Sequence, residues 1–125
     1  MISTMTKYVY SEAESRSVSK HGIELQIYGQ LNDDLDFKRV SVESGHFEEF
    51  KSTSWFIYYI LSGSGIFVLN DEHIQIKKGD LVSIPPNTRI HYFGKMEFTL
   101  MCSPPWKPEN ETHIRDVDPS ENPLR

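Results

Sequence analysis

The sequence predicts an all-β protein, and three observations carry that prediction. Short runs alternate apolar and polar residues with a period of two, as in GIELQIYG, where Ile23, Leu25 and Ile27 oppose Glu24 and Gln26. Turn-forming clusters such as QLNDDLD, SGSG and Asn70-Asp71-Glu72 separate these runs at near-regular intervals. No long segment carries a helical period. Together they fit a β-sandwich, a jelly roll or a small barrel.

The elements follow in order. GIELQIYG gives the first clear strand, and FKRVSVESG gives a second period-two run after the polar turn. WFIYYIL is apolar on both parities and is closed by SGSG, so both of its faces should be covered. One face suits a barrel interior and the other a second sheet or a second subunit, and a homodimer is expected on that ground. IFVLN, a turn and HIQI read as a hairpin; DLVSIPP, RIHYF and MEFTLMC complete the set, the last two joined by a Gly94-Lys95 turn. Beyond Cys102 the chain becomes rich in proline and charge, with Trp106 as its large anchor. The expected organisation is an N-terminal arm or edge strand over 1–20, the barrel over 21–106, and a polar C-terminal tail over 107–125.

Composition narrows the function classes. A chain of 125 residues suits one domain. A net charge of −5 with interspersed signs shows no basic stripe for tracking phosphates, so nucleic acid is not an expected partner. No apolar run approaches a membrane span, and the polar start lacks the core of a signal peptide. A single cysteine suits a reducing compartment, so a cytoplasmic location is expected, with no membrane partner.

GDLVSIPPNTRIHYF and YYILSGSG carry a family resemblance. From Val40 to Trp106 the sequence resembles the cupin family of small jelly-roll barrels. Gly79, five residues and Pro85 follow the opening of the second cupin motif, with Asn87 in place of its middle glycine. YYILSGSG resembles the end of the first motif, and the fifteen residues between Gly63 and Gly79 suit the inter-motif hairpin. The resemblance implies a single-domain cupin-type jelly-roll β-barrel. It says little about chemistry, because one fold hosts many activities.

In metal-bearing cupins the resemblance implies two His and a Glu from the first motif and a His from the second. Here the Glu position falls on Phe56, and the stretch that should supply the first-motif histidines, Glu49 to Thr53, contains none. The second-motif His position falls on Ile90, with His91 one residue beyond. Side chains alternate along a strand, so that offset turns His91 to the opposite face unless a bulge intervenes. His21, His46, His73, His91 and His113 are scattered, and no pair has the spacing that puts two ligands on one strand face. No metal and no other cofactor is expected.

If Ile90 points inward, so does Tyr92; Tyr58, two residues beyond the Glu position, shares the face of Phe56. A phenol there could orient a substrate or simply be a satisfied core residue. The expected ligand set is Glu49, Phe56, Tyr58, Ile60, Ile90 and Tyr92, with His91 and Tyr58 as catalytic candidates. Glu49 with Lys51 could equally form a solvated, charged edge. His46 reads as a turn residue and Cys102 as a buried structural thiol.

These residues leave three functions open. The first is a metal-free cupin that binds a small polar metabolite, sugar-like in one version, in the barrel. The second is implied by relatives that act on nucleotide-linked sugars: a metal-free isomerase or epimerase using His91 and a tyrosine. The third is a metal-dependent dioxygenase, lyase or isomerase. Whether the protein is an enzyme is not decided by sequence.

Overall fold

In the computed structural model, which describes residues 7–124, the alternating runs become nine strands, all paired antiparallel. They are β1 (Arg16–Lys20), β2 (Ile23–Gln30), β3 (Asp36–Val42), β4 (Gly45–Ser52), β5 (Trp55–Leu69), β6 (Glu72–Lys77), β7 (Leu81–Ile84), β8 (Ile90–Ser103) and β9 (Glu111–Asp116). No α-helix occurs among the described residues. Asn70 and Asp71 turn β5 into β6 with φ of 49° and 70°, a left-handed pair typical of tight hairpins.

Two strands are longer than the sequence suggests. WFIYYIL and IFVLN form one strand, β5, and RIHYF continues through Gly94 into MEFTLMC as β8. The glycines do not reverse the chain; they let both strands bend together while they stay paired, Gly65 opposite Gly94. A Cβ on Gly94 would lie 2.5 Å from the Ser64 carbonyl oxygen, and one on Gly65 2.3 Å from that of Phe93. Gly94 also has a φ of 127°, which side chains resist.

That shared bend divides the sheet into two facing halves, as in a jelly roll. The first half of β5 and the second half of β8 join β3, β2, β1 and β7. The other halves join β4, β9 and β6. Residues opposite one another share a face, so inward rows cross several strands. One row runs Arg16, Ile27, Lys38, Leu100, Tyr58. Another runs His46, Tyr92, Phe67. Between the halves lies a core that includes Val40, Ile60, Phe67, Ile84 and Phe98.

The two terminal segments and the outer face of β5 bear on three expectations. The 1–20 segment contributes β1, an edge strand on β2, and residues 1–6 lie outside the described residues. The C-terminal segment, read as a polar tail, supplies β9, which pairs with β4 through backbone hydrogen bonds while its side chains stay largely exposed. A polar sequence can do this on an edge, where no apolar face is needed. Among the described residues, no second sheet covers the outer face of β5: Trp55, Tyr59 and Leu61 stay exposed there. Farther along the sheet, Val117 covers Ile66, Val68 and Phe93.

Phe98 is fully buried at the meeting of the two halves. Phe98→Ala should lower the free energy of unfolding by about 3–5 kcal/mol in urea titrations. Leu81→Ala, at a side chain 66% exposed, should change it by less than about 0.5 kcal/mol.

Candidate functional site

A cavity of about 470 Å³ opens into the barrel between the two halves. Its aromatic wall is Phe50, Phe56, Tyr58, Tyr92 and Trp106, its aliphatic wall Ile23, Leu25, Ile27 and Leu100. Polar groups include His46, Lys38 and Asp36 from inner strands, Glu111 from the edge strand β9, and Arg16 and Lys20 from β1. Mostly apolar walls with a few converging polar groups are the usual build of a small-ligand site. A wider depression of about 900 Å³ at the other end of the barrel is polar and holds neither histidine nor tyrosine, so the acid–base groups sit in the aromatic cavity.

Local pairing sets the reactive cluster. His46 lies directly opposite Tyr92, and the two rings stack with centroids 5.1 Å apart. Tyr58 stands edge-on to Phe67, which stacks on Tyr92. His46 is 3% exposed, and its Nδ1 lies 2.9 Å from the Glu48 carbonyl oxygen. A carbonyl can only accept, so Nδ1 carries the proton and Nε2 keeps its lone pair for a ligand. Burial, helped by the nearby positive charge of His21, pushes the imidazole down to about 3. It is therefore neutral at physiological pH. Burial pushes Tyr58 and Tyr92 well above the ordinary phenol range, so both stay protonated. Neither hydroxyl has a hydrogen-bond partner among the described residues. Both tyrosines line the cavity, where their hydroxyls can donate to a solvent molecule or a ligand.

The expected site residues divide between two faces. Phe56, Tyr58 and Tyr92 line the cavity. Ile60 and Ile90 point inward but are sealed in the core, apart from the cavity lining. Glu49, expected in the ligand set or on a solvated edge, is in neither place. It is 2% exposed on the outer side, 3.4 Å from His91 Nδ1 and 3.5 Å from both Arg89 and Arg115. Alternation from the cavity-lining Phe50 beside it sets that orientation. His91, the catalytic candidate, opposes Val68, one residue away from the inward Phe67–Tyr92 row, and meets Phe93 edge-on. Burial lowers its pKa although Glu49 opposes the shift. Lys51 is half-buried on β4. Cys102 is fully buried, its thiol pushed up to about 12 by burial.

Sequence reasoning missed His46, Lys38 and Asp36. His46 is a strand residue of β4, not a turn residue; its partner Tyr92 is distant in sequence, and no local pattern shows the stacking. Lys38 and Asp36 did leave a signal. They share parity with Val40 and Val42 in a period-two run, which places a charge pair on the inward face.

The metal-bearing cupin pattern does not fit these residues. Its Glu position holds Phe56 and its second-motif His position holds Ile90, both buried apolar side chains. Among the described residues, no group of three or more His, Cys, Asp or Glu side chains is placed to hold a metal ion. No helix among the described residues is long and apolar enough to cross a membrane.

Comparison with known proteins adds to this geometry. Residues 6–98 match the ARD/ARD' family. The chain belongs to that family. The acireductone dioxygenase of Exiguobacterium sibiricum is 41% identical over 46 residues, 33% of this chain and 25% of that protein. An uncharacterised protein of Methanocaldococcus jannaschii is 40% identical over 62 residues, 46% of this chain and 50% of its own. The chain thus spans half or less of these two relatives. Among solved structures, Pac13, described as a unique nucleoside dehydratase, is 47% identical, with a TM-score of 0.91 over 94% of this chain and 99% of its own. Streptomyces Pac13 has also been solved with uridine as one His-to-Gln and two Tyr-to-Phe variants. An RmlC-like cupin of Shewanella frigidimarina, 14% identical, aligns over 84% of this chain and 98% of its own with a TM-score of 0.68, which establishes the cupin fold.

The depressed His46 pKa has a stability consequence. The unfolded chain binds this proton near pH 6.5 and the folded chain only near 3, so unfolding takes up a proton between those values. Folding stability contributed here is complete above pH 6.5 and is lost as pH falls toward 3. Urea titrations of wild type and His46→Gln should show wild type losing roughly 1.4 kcal/mol per pH unit relative to the variant between pH 6 and 4. A constant difference across that range would contradict the burial of a neutral imidazole.

Proposed function

We propose that this protein binds a nucleoside in the aromatic cavity and removes water from its sugar, without a metal. The observation that carries the reading is the meeting of His46, Tyr58 and Tyr92. One imidazole with a free Nε2 and two phenols without protein partners face a cavity walled by aromatic rings. The comparison supports it. The Pac13 variants change one histidine and two tyrosines, and those tyrosines are separated by the same number of residues as Tyr58 and Tyr92. The histidine precedes the first of them by one residue more than His46 precedes Tyr58.

Elimination of water breaks a C–H bond on one carbon and a C–O bond two carbons from an activating carbonyl. His46 Nε2 takes the C–H proton, and the electron pair moves into the carbonyl to give an enolate. When the enolate collapses, the departing hydroxyl takes a phenolic proton and leaves as water. The proton on His46 then returns to the phenolate, directly or through water, and the site is restored. In the free protein, burial makes His46 a weak base. It gains strength when negative charge develops beside it, which ties proton transfer to a carbonyl-activated substrate. Only the 5′ carbon of a nucleoside can become an aldehyde without breaking the ring. That oxidation acidifies the 4′ C–H and sets the 3′ hydroxyl in the leaving position.

His91 has no part in this mechanism because it lies on the outer face with Glu49. The isomerase reading built on His91 therefore gives way to one built on His46.

The test is turnover of uridine oxidised to the 5′ aldehyde, followed by mass loss of one water. Wild type should bind uridine and convert the aldehyde. His46→Gln, Tyr58→Phe and Tyr92→Phe should each bind uridine within about tenfold of wild type. At least the His46 variant should lose on the order of 10²–10⁴ in kcat. Elemental mass spectrometry on protein purified without chelators should find less than one transition metal per chain, and activity should survive chelator. Uridine binding with no turnover of the aldehyde would replace the enzyme by a binding module. One stoichiometric metal required for activity would overturn the metal-free site.

A further inference from the structure

The cavity wall holds a charged side chain that the proposed elimination does not use. Lys38 is 6% exposed, yet it sits on β3 among Ile27, Leu100 and Val40. Burying an ammonium in such a wall is costly unless it is paired. Its Nζ lies 3.1 Å from Asp36 Oδ2 and 3.5 Å from Cys102 Sγ. Asp36 in turn takes three donors: Oδ1 accepts from the Cys102 backbone N–H, and Oδ2 accepts from that of Trp106 as well as from Lys38. An ammonium carries three N–H donors and no acceptor. Two are directed at Asp36 and Cys102, and the third is left for the cavity that Lys38 lines. With Asp36 already taking three donors, the group this pair turns toward a ligand is the Lys38 N–H.

Position decides which end of a nucleoside meets that donor. Lys38 and Tyr58 stand on one inward row with Leu100 between them. Two strand spacings separate their backbones, about 10 Å. With the sugar held at His46, Tyr92 and Tyr58, a base directed toward β3 and Trp106 would meet Lys38. We propose that Lys38 is a specificity-determining residue that donates to a keto oxygen of the base, so that the site takes a uracil-type nucleoside and rejects one presenting an amino group there. The inference rests on the nucleoside reading above. An amino group opposite Lys38 would leave two donors facing each other in a buried corner.

Isothermal titration of wild type, Lys38→Met and Lys38→Gln with uridine and with cytidine tests it. Wild type should bind uridine about tenfold or more tighter than cytidine. Lys38→Met should lose about tenfold or more in uridine affinity while cytidine changes by less than about threefold, so the preference collapses. Lys38→Gln, which keeps a neutral donor, should retain part of it. A structural role alone would weaken both ligands together. Equal binding of the two by wild type, or a Lys38→Met protein that keeps the preference, overturns the inference while the nucleoside reading stands. Failure of wild type to bind either one removes that reading and this inference with it. Should Lys38→Met not fold, the Lys38 side-chain ammonium resonance of wild type gives the answer. A shift with uridine and none with cytidine supports the contact, and no shift with uridine overturns it.

Discussion

Where β5 and β8 cross the bend, their backbones come so close that neither strand can carry a side chain. Gly65 and Gly94 face each other there, and a Cβ on either would run into the other strand's backbone. The close approach keeps two long strands paired while both fold over. The two halves of the sheet therefore share a spine instead of being joined by loops. Each half contributes its own inward rows, so residues far apart in sequence meet across the interior at fixed register. His46 and Tyr92 come from one half; Lys38, Leu100 and Tyr58 come from the other. The site depends on the bend before it depends on any one functional side chain.

Inside the barrel, several polar groups already have a protein partner, and the others are open to a ligand. Asp36 takes three donors, His46 commits one nitrogen to the Glu48 carbonyl, and Trp106 gives its indole N–H to Glu111. What is left over includes one imidazole lone pair, two phenols and one ammonium N–H, with the Arg16 and Lys20 side chains on the β1 side. A ligand that satisfies this set must bring a proton to give up near His46 and oxygen acceptors elsewhere. The outer face follows a different logic. Glu49 is enclosed by Arg89, Arg115 and His91, and this ion cluster helps seat the C-terminal strand on β4.

The fold was legible in the sequence because alternation and turn residues are local signals, and β2, β3, β6 and β7 follow them closely. Tyr58, Tyr92 and Phe56 could be placed inward by parity once the second-motif proline corner set the register. Parity fails where no neighbour's facing is known, as at Glu49, which points outward because Phe50 beside it lines the cavity. It also fails where a glycine can serve either a reversal or a bend: SGSG and Gly94-Lys95 look like turns, and only their pairing with each other shows otherwise. β9 left no apolar trace because an edge strand needs backbone partners alone. Lys38 and Asp36 were visible as charges on an apolar parity. They went unread because a period-two pattern is usually scanned for its apolar members.

The C-terminal strand reaches the reactive histidine through a short chain of contacts. His113 Nδ1 lies 2.8 Å from Glu48 Oε2, and His21 Nε2 lies 3.5 Å from Oε1 of the same carboxylate. Hydrogen bonding to Glu48 raises the pKa of His113, so the pair is strongest where His113 is protonated. The Glu48 backbone carbonyl meanwhile fixes the His46 tautomer, and Val117 donates to the Phe47 carbonyl next to it. A segment that reads as a polar tail thus holds the backbone on which His46 depends. Loosening β9 would free the Glu48 carbonyl to turn, and His46 could then present the wrong nitrogen to the cavity. Edge pairing, usually a matter of solubility, is here coupled to the protonation pattern of the site.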